Sequence, residues 1–169
     1  MALLKKSYFI MLSVFLSGCS HTEIFNAYKS ADVVLEGRTK LTFLMEMTAN
    51  NSKPGVTVYG EPYKLMVFVP YVRELKKISL RKVSLSGESG DLVELPDNSK
   101  SLVDIDSSYE GSVVIMFDID KLVFQSYKLF GELVVETGQS VSSHSFEVFL
   151  DTDRKEEKIN KFWSNLMGI

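Results

Sequence analysis

Leu129-Phe130-Gly131-Glu132-Leu133-Val134-Val135-Glu136-Thr137-Gly138-Gln139-Ser140-Val141-Ser142-Ser143-His144-Ser145-Phe146-Glu147-Val148-Phe149-Leu150 is the stretch on which the fold turns. Leu129, Leu133 and Val135 on its first arm share one parity, as do Phe146, Val148 and Leu150 on its second. Successive side chains of a strand project to opposite faces, so these residues form one apolar face across a pair of strands. Gly138-Gln139 lies between the arms, and a two-residue loop that opens on Gly suits a type II′ hairpin turn. Phe130 and Phe149 then lie on the opposite face as diagonal neighbours. That second apolar patch calls for a cover.

The chain beyond the hairpin offers one. Asp153 can cap a helix, Glu156 completes a capping-box spacing, and Ile159, Phe162, Trp163 and Leu166 recur at helical intervals. This predicts an amphipathic α-helix over 153–167, with Phe162 and Trp163 buried against Phe130 and Phe149.

Upstream, the period of two recurs. Leu41, Phe43, Met45 and Met47 alternate with Lys40, Thr42, Glu46 and Thr48, and residues 50–55, ending in Pro54-Gly55, break that strand. A short strand over 56–59 follows. Tyr63, Leu65, Val67 and Val69 form a further strand between Pro62 and Pro70, which suit strand ends. Ile78 and Leu80 share one parity and Val83 and Leu85 the other, which predicts a bulge near Arg81-Lys82. Gly87-Glu88-Ser89-Gly90 reads as a turn, 92–95 and 102–105 as short strands, and 113–119 as a central strand apolar on both faces up to Asp118. The expected fold is mainly β: an antiparallel two-layer β-sandwich of immunoglobulin or transthyretin type, roughly six to nine strands closed by the C-terminal helix.

The start of the chain differs in kind. Lys5 and Lys6 precede an apolar run from about Tyr8 to Leu16, followed by Ser17, Gly18 and Cys19. This is the layout of a secretory signal, and the run is shorter than the roughly 20 residues a membrane span needs. Leu16-Ser17-Gly18-Cys19 resembles the lipobox of bacterial lipoproteins. That resemblance implies diacylglyceryl transfer to the Cys19 thiol, cleavage between Gly18 and Cys19, and acylation of the new amino terminus. Ser20 after the lipidated residue implies sorting to the outer membrane, facing the periplasm. Cys19 is the only cysteine of the chain, and a lone thiol in an oxidising compartment invites unwanted pairing unless it is modified. The organisation expected is a signal peptide over 1–18, a lipidated Cys and tether over 19–32, and one domain over 33–169.

Without residues 1–18, 151 of the 169 residues remain, with 17 Lys and Arg against 22 Asp and Glu. A domain of this size buries roughly two thirds of its surface, so it needs no disulfide or metal staple. The acidic balance argues against nucleic acid, whose phosphates call for clustered cations. The densest basic run holds Arg73, Lys76, Lys77, Arg81 and Lys82. Its first three residues, together with Phe162 and Trp163, are the candidate partner-binding residues.

Asp104/Asp106, Asp118/Asp120 and Asp151/Asp153 each put two carboxylates on one face of a strand, with Glu110 able to join the first pair, but none makes the Asp-x-Asp-x-Asp-Gly calcium loop. No metal site is expected. Of the two histidines, His21 falls in the tether and His144 reads as an exposed strand residue; Gly87-Glu88-Ser89-Gly90 is not a nucleophile elbow. No catalytic residue is assigned, and no cofactor beyond the lipid on Cys19. The function expected is that of a non-enzymatic, lipid-anchored envelope protein that binds another protein in the periplasm. An immunity protein against a periplasmic toxin and a structural subunit of an envelope or secretion machine both fit. The alternative is an envelope hydrolase or a Ca²⁺- or carbohydrate-binding lipoprotein.

Overall fold

The computed structural model describes residues 20–35, 39–71, 74–101 and 111–160, with the backbone alone at 51, 52, 99–101 and 160. The described residues form eleven strands: β1 (Ser20–Tyr28), β2 (Ala31–Val34), β3 (Lys40–Lys53), β4 (Val56–Pro70), β5 (Leu75–Gly87), β6 (Leu92–Glu94), β7 (Asn98–Ser101), β8 (Ser112–Ile119), β9 (Tyr127–Thr137), β10 (Val141–Leu150) and β11 (Thr152–Asn160). Sheet A runs β11-β1-β4-β3-β2, with β8 also paired to β4. Sheet B runs β10-β9-β5-β6, with β7 also paired to β5. The fold is mainly β, as the alternating pattern requires.

The alternation is spent on a single core shared by the two sheets. Leu41, Phe43, Leu65 and Val67 of sheet A and Ile78, Leu80, Leu129, Leu133 and Leu150 of sheet B have no exposed surface. Each such side chain contributes about 1.5–3 kcal/mol of burial free energy. The Phe43 and Phe146 rings meet across the two layers at 5.3 Å. At one margin Asn98 Nδ2 donates to the Met116 carbonyl at 2.8 Å, tying β7 to β8.

The central hairpin has the expected register, with Val141 opposite Glu136 and Leu150 opposite Tyr127. Its turn differs, because Gly138 lacks the positive φ of a type II′ turn. Thr137 Oγ1 instead accepts from the Gln139 and Ser140 amides at 3.3 and 3.1 Å, and Gly138 N–H donates to Glu74 O at 3.0 Å. The bulge near Arg81-Lys82 is present: register against β9 shifts between Arg81 and Ser84, with Lys82 at φ 50°.

Other expectations are overturned as well. The helix over 153–167 is not formed: Thr152–Asn160 is strand β11, antiparallel to β1 from Ser20↔Asn160 to Tyr28↔Thr152. There is no helix among the described residues. The capping and i, i+3 signals are weak local preferences, and the free edge of β1 instead holds nine consecutive residues in antiparallel register, alternate ones exchanging backbone hydrogen bonds with it. Phe162 and Trp163 lie outside the described residues. Phe149 is 63% exposed, and its ring faces the Lys128 ammonium at 5.8 Å.

Residues 20–32, expected as a tether, carry β1 and the beginning of β2. Phe25 stacks on Tyr59 at 4.6 Å and Tyr28 is 5% exposed. The aromatic side chains of this segment therefore dock onto the domain. β1 also pairs in parallel with β4 from Thr22↔Val56 to Phe25↔Tyr59, so sheet A is mixed and not purely antiparallel.

β3 continues through 50–53 to the Pro54-Gly55 turn, and β4 runs unbroken past Pro62, whose peptide bond with Glu61 is cis. An irregularity opposite Met47/Thr48 lets β4 take the proline inside its span. Finally, β8 is not central: among the described strands it pairs with β4 alone, and its outward Met116 is 43% exposed.

Candidate functional site

The irregularity in β4 shapes a groove of about 710 Å³. Asn26 of β1, Asn50 of β3, and Val58, Gly60, Glu61 and Tyr63 of β4 form one wall; Asp91, Val93, residues 121–124 and Tyr127 form the other. Glu61 lies where register against β3 is lost, which frees its carboxylate to accept the Leu122 amide at 3.3 Å. Asn50 Nδ2 donates to the Glu61 carbonyl. The β8–β9 connection is thereby strapped to the bend in β4.

Its other end is strapped to the turn after β5. Gln125 Nε2 donates to Ser89 Oγ at 2.9 Å, Gln125 Oε1 accepts the Ser89 amide at 3.3 Å, and Ser89 Oγ donates to Asp91 at 2.6 Å. Tyr127 O–H closes the loop on itself by donating to Val123 O at 3.0 Å. Leu122 is thereby held inward at 5% exposure while Val123 stands on the lip at 63%.

Behind the floor lies an aromatic cluster. Tyr28 meets Tyr63 edge-on at 5.4 Å, Phe124 at 5.7 Å and Tyr127 at 6.4 Å. Tyr63 O–H donates to Asn26 O at 3.1 Å. Burial, reinforced by the Glu61 carboxylate and Tyr127, pushes the Tyr63 hydroxyl up to about 12. Burial likewise raises Tyr28, with Tyr63 and Tyr127 adding to the effect and the Gln125 main chain opposing it. The Tyr28 hydroxyl makes no well-formed hydrogen bond. The groove is thus lined by Tyr63, Phe124, Tyr127 and aliphatic side chains together with Asn26, Asn50, Glu61, Asp91 and Lys121, a composition suited to taking an apolar anchor within polar surroundings.

The residues singled out in the sequence fall elsewhere. Gly18, Cys19 and Arg73 lie outside the described residues, as do Phe162 and Trp163. Lys76 and Lys77 are exposed at the start of β5, where register against β9 shifts, and they do not line the groove. Asp104, Asp106 and Glu110 are also outside. Asp118 pairs with Lys64 at 3.8 Å and Asp153 with Lys155 at 3.2 Å. Among the described residues no group of three His, Cys, Asp or Glu is placed to hold a metal.

His144 is half-buried on β10, and not fully exposed as expected. His21, assigned to a tether, lies on β1 with Nε2 2.8 Å from Thr57 Oγ1 and 4.0 Å from Glu23. The groove itself escaped the sequence reading. Its one local signal was Gly60-Glu61-Pro62, which marks a bend in a strand but not what folds over it. Compared with known family models, curated proteins and solved structures, the chain matches none.

Proposed function

We propose that this protein is a lipid-anchored envelope protein, held on the membrane through Cys19, that binds another protein by the groove between the β4 bend and residues 121–124. The observation that carries the anchor is the position of the only cysteine, at the end of a signal-like run and one residue before β1. The groove supports the binding role, because apolar anchors in water-excluding pockets with polar rims supply most of the affinity of protein interfaces. The outer membrane, facing the periplasm, is the location this reading implies.

Affinity capture from cross-linked envelopes, comparing the full chain with its Val123→Asp variant, tests the binding role. Val123 is exposed on the lip, so its replacement leaves the melting curve unchanged. A dominant partner held by the wild type and lost from the variant is the expected result. One secreted toxin at near-equal stoichiometry assigns an immunity role, and several membrane-machine subunits a structural one. Identical captures from both proteins overturn the groove as the binding site.

A further inference from the structure

Resting on the anchoring reading above, we propose that the end of sheet A made by Ser20, the Pro54-Gly55 turn and the close of β11 lies directly on the lipid surface, so that the domain is mounted without a spacer. β1 begins at Ser20, the residue after Cys19. Consecutive Cα atoms lie about 3.8 Å apart, so no slack separates the acylated residue from the sheet. β1 is held on both sides, by β11 along its whole length and by β4 from Thr22 to Phe25.

Two other parts of the chain reach the same end. Thr22 N–H donates to Gly55 O at 2.9 Å, and a Cβ on Gly55 would stand 3.7 Å from Ser20 O. The β3–β4 turn is therefore packed beside the point of attachment. Ser20 pairs with Asn160, which brings the close of β11 to this end as well.

The chemistry of this end suits head groups. Lys53 and Pro54 are exposed at the turn, and Lys158, opposite Thr22, is nearer the attachment point than Glu157 and Glu156, opposite Glu23 and Ile24. Acyl chains on Cys19 enter the hydrocarbon, so the first peptide units of β1 and the Lys53 ammonium come to rest at the level of the phosphates. At about 3.3 Å per strand residue, the groove at Asn26 stands ~20 Å above that level, and the β2–β3 end of the sheet ~40 Å.

The test uses the full chain, processed in the envelope, purified and incorporated into vesicles of phosphatidylethanolamine and phosphatidylglycerol with a head-group nitroxide lipid. With the Cys19 thiol in thioether linkage, a fluorophore is placed by Lys53→Cys or, at the far end, by Val34→Cys. Val34 is 67% exposed. The expected result is loss of most of the emission at 53 and none at 34, with emission at 53 restored when a Gly-Ser spacer is inserted between Cys19 and Ser20. Equal emission from the two positions in acylated, vesicle-bound protein overturns the mounting and leaves the anchor standing. A product whose mass lacks the acyl groups on Cys19 overturns the anchor, and the mounting with it.

Discussion

Gly131 faces Phe146 across the β9–β10 pair, and a Cβ there would stand 2.8 Å from the Phe146 ring and 3.2 Å from Val83. Neither neighbour can yield freely, because Phe146 is itself packed on Phe43. Gly131→Ala should therefore destabilise by about 1–3 kcal/mol in denaturant unfolding, the usual cost of overpacking. Gly138→Ala, whose new methyl would meet only Glu74 at 3.6 Å, should stay within about 0.5 kcal/mol. The tyrosines predict a pH effect of definite sign. Tyr63 and Tyr28 release their protons at higher pH in the folded chain than when unfolded, so between pH 10 and about 12 the unfolded state binds fewer protons and stability falls as pH rises. Below pH 10, the ordinary value of both groups, the two hydroxyls contribute no slope. A Tyr28→Phe/Tyr63→Phe chain should show a shallower alkaline decline in urea midpoint, while losing at neutral pH only about 0.5–1.5 kcal/mol from the Tyr63–Asn26 hydrogen bond.

Within β5, Lys82 is the single residue that keeps Ile78 and Leu80 in phase with Val83 and Leu85. It does so in a left-handed conformation, with its amide donating to Asp97 Oδ1 at 2.9 Å. Lys82→Val should cost about 1–2 kcal/mol, since a β-branched side chain is strained there, while Lys82→Gly should be nearly neutral; thermal unfolding of the two variants separates them. This bulge was legible in the sequence because a change of parity within one strand is local. The hairpin register was legible for the same reason, but its turn class was not, since Thr137 and the distant Glu74 decide it. β11 shows the opposite case. Asp153, Glu156 and Ile159 carry a helical spacing, and the partner that makes a strand of them lies at the other end of the chain. The groove was illegible on the same grounds: Glu61, Ser89 and Gln125 have nothing in common until the sheets bring them together.

At the scale of the molecule, two sheets close over one core, and the proposed anchor would join it at one end of sheet A, where β1 begins. Cys19→Ala should leave the melting temperature of the mature domain unchanged while shifting the protein from the membrane pellet to the soluble fraction, or trapping an uncleaved precursor. Normal acylated product from that variant would dispose of the anchor. The place of β1 has a kinetic consequence as well. It lies between β4 and β11, paired to the last described strand from Ser20↔Asn160 onward. A chain delivered from its amino terminus therefore exposes β1 first and completes it last, because the closure of so long a loop must be met before its pairing is gained. Under the proposed anchoring, this makes the attached end of the domain a checkpoint on synthesis: a chain that stops short of β11 leaves β1 with a bare edge at the membrane, open to capture by chaperone or protease, and a chain that reaches Asn160 covers it.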